Sequence, residues 1–458
     1  MAMLPTGRVL SREILPSIDP WDAAQFLCDL PGLLLLESAE RHTDRGRYSY
    51  VMAEPSEWIV PGTGISNPFD ELSKRLSIGS KSIAELPPFQ TGYAGLIGYE
   101  VNRSLESIPT RPEPDWPIPA FAIGRYDWVI AFDHIQHRSW IVAQSGELLE
   151  FVQRRLAGPK RLLRTTSTEA RPPKQSHAIA DRSGLASNFD RDGFVRAIGR
   201  AVDYIRAGDV FQVNLAQRLH AKATRHAFEL YGRLRCASPA PFACYFDLGS
   251  AQIVGASPER FVRIGADGEA MARPIKGTRP RGANPAEDER LRRELLQSPK
   301  DRAENVMIVY LLRNDLGKHC RFGSISVPKV CELESYPYVH HLVSEVRGRL
   351  LPDATAIDLL RGAFPGGSIT GAPKVRAMEI IAELEASDRG AYCGTMAWFG
   401  WDGAMDANIA IRTITAAHCW WQFPVGGGIV ADSIPELEYA ETMHKAAGML
   451  KAIRACSG

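Results

Sequence analysis

The chain has 458 residues, 45% hydrophobic and 23% charged, with a formal net charge of +1. That balance suits a globular protein and excludes the broad field that draws a chain to nucleic acid or an anionic membrane surface. Eight cysteines stand singly, and no run is long enough to span a bilayer, so the sequence predicts reduced thiols in a cytoplasmic protein.

Met1 to Pro20 lacks the apolar core and cleavage site of a secretory leader. Pro31 to Ser38 is a short apolar run after a breaker pair and predicts a buried strand ending in a polar turn. Arg47 to Tyr50, the glycine-rich and aromatic Gly92 to Tyr99, Trp128 to Phe132 and Trp140 to Val142 are β-type as well. The first 156 residues therefore read as a β-rich lobe. Residues 157–187 mix Pro, Gly, Lys, Arg, Ser and Thr and predict an exposed connection, with a boundary near residue 185. Residues 188–458 form a second lobe. Phe194, Ile198, Val202 and Ile205 make one helical stripe, which Asn188 or Asp190 caps. Strands follow over Val210 to Ala216 and Cys244 to Leu248. Glu287 to Leu316 reads as helix interrupted at Ser298-Pro299, and Ser433-Ile434-Pro435-Glu436 has the spacing of a capping box for the last helix.

Several constellations can carry chemistry. Lys276 lies between Pro274 and Gly277, and Glu259 lies in the preceding Ser-Pro-Glu-Arg turn between two β-type runs. An amine and an acid on neighbouring strands either form a surface ion pair, worth little, or face one small substrate. Asp301 with Glu304, and Glu438 with Glu441, are three residues apart on their helices and share a face. Each pair is either a solvated face or half of a site for a hard cation such as Mg²⁺. The glycine-rich stretch Phe364 to Lys374 leads into a helix and reads as an anion-binding loop or a structural turn. It is not a phosphate-binding Walker loop, because Ala372 and Pro373 follow Gly371. Gly426, Gly427 and Gly428 would let a ligand approach backbone N–H groups closely. With Arg412 and Lys445 they could hold a small dianion. His341 sits in a β-type apolar run, where a histidine is more often a satisfied core residue than a catalyst. There is no zinc-ligand spacing and no Gly-x-Ser-x-Gly elbow.

These motifs together resemble the chorismate-utilising enzymes. The resemblance rests on Gly208-Asp209-Val210-Phe211-Gln212, Ser257-Pro258-Glu259-Arg260, Pro274-Ile275-Lys276-Gly277-Thr278, Asp301-Arg302-Ala303-Glu304-Asn305, His341-Leu342-Val343-Ser344, Gly366 to Lys374, Asn408 to Thr413 and Gly426 to Ser433. They run in order over residues 190 to 450, while the N-terminal half matches more loosely. The resemblance implies an α+β fold of two large antiparallel sheets packed together with flanking helices, the active site lying in the cleft of the lobe 188–458. It implies Mg²⁺ held by Glu304 and Glu441, with Asp301 and Glu438 in support, and Glu259 as the acid that protonates the departing C4 hydroxyl. His341, Thr278, Tyr392, Arg412, Lys445 and the backbone of Gly426 to Gly428 would orient the carboxylates of chorismate.

Two positions sort the subfamilies. Members that add water resemble this chain but carry lysine where Gln212 stands, so ammonia is the nucleophile implied here. Lys276 stands where anthranilate-forming members have alanine, and so implies amination at C4 through a covalent lysine adduct; the alternative is the anthranilate-forming reaction. No glutaminase motif is present, which implies a separate glutamine amidotransferase subunit as the ammonia source. Ser38, Arg47, Tyr48, Pro241 and Phe242 resemble the family's tryptophan-binding stretches. Tyr310 departs from the family's usual aspartate, but at about 240° from Glu304 round the helix it should spare the metal face.

Overall fold

The computed structural model describes residues 9–457 except 42–44, 62–66, 77, 78, 80, 81, 111–115, 117, 162, 164–169, 171, 181, 337 and 338. The first eight residues of the chain and much of the predicted connection thus lie outside the described residues. Two antiparallel sheets dominate. The larger runs Leu10–Glu13, Arg138–Ala143, Trp128–Asp133, Tyr48–Met52, Leu34–Glu37, Phe242–Asp247, Gln252–Ser257, Thr413–Ala417, Trp420–Ile429, Gln212–Lys222, Leu185–Ser187 and His177–Ala178. The smaller runs Ile275–Pro280, Val339–Arg349, Glu269–Ala272, Arg260–Ile264, Met405–Asn408, Thr395–Gly400, Gly92–Ile97, Phe121–Tyr126 and Glu57–Ile59. Each sheet takes strands from both sides of residue 185.

The strand Trp128–Asp133 shows why its sequence reads as an unbroken apolar run. Side chains alternate along a strand. Val129 and Ala131 join Leu34, Leu96, Phe246 and Trp398 in the core between the sheets. Trp128, Ile130 and Phe132 face the other way, into a core shared with the helices Pro20–Leu27, Gly146–Leu156, Ala227–Ala237 and Ala447–Ser457. Both faces are covered, so neither needs polar residues.

Three helices of the N-terminal half, Pro20–Leu27, Pro68–Arg75 and Gly146–Leu156, are absent from the sequence expectation. Each has a local start signal: Asp19, Asn67 and Ser145 accept hydrogen bonds from the first-turn N–H groups, and the first two helices begin on proline. The helix Arg191–Arg206 is capped by Asp190 as expected, and Pro285–Gln297 and Pro299–Gly317 meet at Ser298. The capping box at Ser433 does not form. Ile434 takes the cap position of Pro435–Lys445 with no side-chain bond, and the Ser433 hydroxyl donates instead to Glu438 Oε1 at 2.7 Å. The expected connection ends in strand, Leu185–Ser187, paired with Leu219 to Ala221. Among the described residues no helix is long and apolar enough to cross a membrane, and Cys28, Cys236, Cys244, Cys320, Cys331, Cys393 and Cys456 are thiols outside any disulfide.

Candidate active site

Glu259 sits where the chain passes from one sheet to the other, between Gln252–Ser257 of the larger and Arg260–Ile264 of the smaller. A second crossing, from Met405–Asn408 to Thr413–Ala417, runs beside it. Ile409 N–H donates to Glu259 O at 3.0 Å, and Ala256 N–H to Arg412 O at 3.1 Å. Arg412 lies on this crossing with φ +50, a left-handed backbone that a non-glycine residue adopts at some cost.

Lys276 lies on Ile275–Pro280 at the edge of the smaller sheet. The register against Val339–Arg349 slips between Ile275 and Thr278, so Lys276 and Gly277 occupy an irregularity of the kind that re-aims a side chain. Only glycine fits at 277: its φ is +83, and a Cβ there would lie 2.9 Å from both Asp301 Cβ and Leu295 Cδ1. The Lys276 amine donates to Ser368 O at 3.4 Å. Thr278 Oγ1 and His341 Nδ1 are 2.8 Å apart across the ladder.

The electrostatics disfavour charge on the central groups. Burial raises the Glu259 carboxyl to about 7, against the pull of the Lys276 charge and of hydrogen bonds from the Ser368 hydroxyl and the Ile275 N–H. Burial lowers the Lys276 amine, although the charges of Glu304 and Glu259 oppose it. His341 falls to about 3 through burial and the positive charges of Arg45 and Arg412, so its ring is a neutral imidazole. The site therefore offers an acid that keeps its proton near neutral pH, beside an amine eased toward its nucleophilic form.

The glycine strand closes the opposite wall. A Cβ on Gly427 would sit 3.4 Å from Glu438 Oε2 and 3.5 Å from Lys445 Nζ, and one on Gly428 would strike Gln212 Nε2 at 2.5 Å. Lys445 Nζ donates to Gly426 O at 3.0 Å and pairs with Glu441 at 2.7 Å. Gln212 is fully buried, and neither polar atom of its amide has a protein partner. Tyr392 lies further back, in the core: its hydroxyl is engaged with Cys393, and its ring is 5.8 Å from the Arg389 guanidinium.

The acidic side chains present hard oxygen donors of the kind that suits Mg²⁺. Glu304 is raised by burial, with Asp301 and Glu441 among the charges that push it up; Lys276 and Lys300 pull the other way. Glu304 and Glu441 thus share one field, and one dication between them would relieve it. Asp301 is paired with Arg279 at 3.2 Å, and Glu438 with Ser433. Among the described residues no group of three or more His, Cys, Asp or Glu stands close enough to hold a metal ion. The fit is to Glu304 and Glu441, with Asp301 and Glu438 engaged by neighbours.

Ser38, Arg47, Tyr48, Pro241 and Phe242, drawn from two distant stretches, all line one cavity of about 370 Å³. Ser38 Oγ lies 2.7 Å from Tyr48 O and 3.1 Å from Pro241 O, Arg47 pairs with Asp133 at 2.7 Å, and Phe242 lies under the Arg260 guanidinium. The cavity does not include Lys276.

Three contributors escaped sequence reasoning. Ser368 contacts Lys276 through its carbonyl and acts on Glu259 through its hydroxyl, although its loop reads from sequence as an anion-binding loop or a structural turn. Lys300 acts on Glu304 and Glu441. Arg45 lines the cavity yet acts electrostatically on Glu259 and His341; no local signal announces a residue more than two hundred positions from its targets.

An acid held near its neutral form beside an amine eased toward its nucleophilic one is the equipment of enzymes that expel a poor leaving group while attacking the same molecule. A family model described as chorismate binding enzyme matches residues 34–451. Anthranilate synthase component 1 of Thermus thermophilus is 38% identical over 92% of this chain and 92% of its own length. Aminodeoxychorismate synthase component 1 of Escherichia coli is 38% identical over 97% of this chain and 99% of its own. The crystal structure of anthranilate synthase component I from Streptococcus pneumoniae superposes with a TM-score of 0.77 and 32% identity, covering 89% of this chain and 93% of that one. The chain belongs to the chorismate-binding enzyme family.

Proposed function

We propose that this protein is the chorismate-aminating component of an aminodeoxychorismate synthase, converting chorismate and ammonia to 4-amino-4-deoxychorismate. Relatives of both kinds match at 38% identity, so overall similarity does not choose between them. The observation that carries the reading is the Lys276 amine, lowered by burial and held beside the protonated Glu259.

In this reading Lys276 Nζ bonds to C2 of chorismate and gives up a proton as the ring double bonds shift. The C4 hydroxyl leaves as water with the proton of Glu259. Ammonia then adds at C4 and passes a proton to the Glu259 carboxylate. The double bonds return, and Lys276 is expelled and reprotonated. The net change is chorismate plus ammonia to aminodeoxychorismate plus water. Glu304 and Glu441 would hold Mg²⁺, whose charge, when bound, neutralises the ring carboxylate. Lys445, Arg412 and the Gly426 to Gly428 backbone orient the anionic groups, and Gln212, which is neither acid nor base at neutral pH, gives water no general base. Ammonia comes from a separate glutamine amidotransferase subunit.

The test is mass spectrometry of the protein with chorismate and Mg²⁺ but no ammonia. A mass gain on the peptide carrying Lys276 supports the reading. Release of anthranilate and pyruvate once ammonium is added, with no adduct, overturns it in favour of anthranilate synthesis. The cavity at Ser38 and Arg47 is read as a tryptophan site, since aromatic, aliphatic and cationic walls suit a zwitterion with a large ring; titration calorimetry with tryptophan tests this, and no heat of binding refutes it.

A further inference from the structure

The loop Phe364 to Lys374 is fixed at both ends and along its length. Lys374 Nζ donates to Asp315 Oδ2 at 2.9 Å and to Ala363 O at 2.6 Å, and Asp315 is almost wholly buried. Thr370 Oγ1 donates to Gly366 O at 2.9 Å, Arg389 Nη1 to Ile369 O at 2.9 Å, and Asn214 N–H to Thr370 O at 2.7 Å. Gly366 and Gly367 press against Ile409 and Leu311 so closely that a Cβ would lie 2.6 Å and 2.1 Å from them. A loop anchored this heavily on either side of one residue determines where that residue's polar atoms point. The residue is Ser368, and its two polar groups go to the two reacting side chains. The carbonyl accepts from the Lys276 amine at 3.4 Å, and Ser368 and Glu259 line the same small cavity, where the hydroxyl favours the carboxylate against its burial.

We propose that Ser368 is a positioning residue: its carbonyl oxygen orients the Lys276 amine and its hydroxyl orients the Glu259 carboxyl, so that attack and proton delivery happen at fixed places on one substrate. The proposal rests on the reading of Lys276 as nucleophile and Glu259 as acid. A neutral amine has two N–H bonds and one lone pair. A carbonyl can accept only an N–H, so the lone pair is directed away from Ser368. The Ser368 hydroxyl acts on the acid in the same way, restricting which oxygen carries the transferable proton. The charged groups that face Glu259 are Lys276 and Arg45; both act on it through their charge, whereas the Ser368 hydroxyl acts as a hydrogen-bond donor.

The experiment follows chorismate loss by the full-length protein with Mg²⁺ and ammonium, a readout that does not depend on which product forms. Ser368→Ala keeps the carbonyl and removes the hydroxyl. We expect kcat to fall on the order of tenfold, since a hydrogen bond to a charged group is lost, with KM within about twofold. The alkaline limb of the rate profile should move up by about one pH unit, because the ionised carboxylate loses a stabilising donor. Ser368→Thr, which restores a hydroxyl, should recover both. An unchanged kcat and limb in Ser368→Ala overturns the proposal, as does a loss that Ser368→Thr fails to rescue or one matched by loss of folded protein. Lys276→Ala, run alongside, separates the two claims. Its full activity would refute the nucleophile reading, whereas the Glu259 limb reports on Ser368 by itself.

Discussion

Glu385 with Arg389, and Glu259 with Lys276, are two acid–base pairs on which burial acts, yet they end in opposite states. Arg389 is 5% exposed, and all three of its nitrogens are hydrogen-bonded: to both Glu385 oxygens, to Ile369 O and to Asn214 O. Glu385 also accepts from the Ala216 N–H at 2.9 Å. Burial disfavours the Arg389 charge, but Glu385 and the surrounding groups outweigh it and hold the guanidinium well above its ordinary value. In the other pair burial prevails: the acid rises to about 7 and the amine falls. What differs is the number and direction of hydrogen bonds to the charged forms. A pair whose donors and acceptors are matched is locked as ions and serves as scaffold. A pair left short of partners drifts toward neutral and keeps protons and lone pairs available for chemistry.

The largest expected effect is on turnover. Glu259→Gln keeps the shape and cannot give a proton, so the chorismate consumption rate should fall by about 10²–10⁴-fold, measured at saturating ammonium. In the unaltered protein the alkaline limb of the rate profile should lie near the Glu259 value of about 7, because the acid must be protonated to act. A limb far above that would mean another group delivers the proton. Next comes the scaffold pair: Arg389→Met leaves Glu385 buried without its cation and should cost about 3–5 kcal/mol in denaturant unfolding. A loss under about 1 kcal/mol would remove the contrast.

A third effect has the opposite sign and sharpens the comparison. The Glu259 pKa is raised in the folded chain, from 4.5 to about 7. Between those values the native state binds more protons than the unfolded one, so stability falls as pH rises through this window and the loss is complete above it. Glu259→Gln removes that penalty. It should stabilise the inactive protein by about 3 kcal/mol at pH 8 and hardly at all at pH 4. Equal midpoints for the two proteins at pH 8 would show that Glu259 carries no burial cost.

Much of the architecture is legible from local pattern. The apolar run over Trp128 to Phe132 marks a strand, and Ser298-Pro299 marks a helix boundary. The order of motifs also brings Lys276 and Glu259 forward together. What pattern does not reveal is which distant groups compete for the same atom. Ser433 has the spacing of a cap, but its hydroxyl goes to the Glu438 carboxylate five residues on, a local partner other than the backbone N–H that a capping box requires. Asp301 and Glu304 share a helix face, yet Arg279 engages the first, while the Lys276 charge acts on the second. Ser368 is hidden for the same reason: its significance lies in strands about a hundred residues earlier.

The smallest effect is expected at Tyr310, on the helix that also carries Glu304. The inner side of Pro299–Gly317 holds Asn305, Ile308 and Leu312, buried, with Glu304 at its margin and Asn305 donating to Leu342 O. Tyr310 is on the outer side and 73% exposed. Tyr310→Asp therefore changes a group that touches neither pair. Stability should stay within about 0.5 kcal/mol, and turnover and its pH limbs should not move. A shift of either limb would mean that a charge on the outer face reaches Glu304 or Lys276 through the helix. In that case the divide between the two pairs would depend on the long-range field as well as on hydrogen-bond matching.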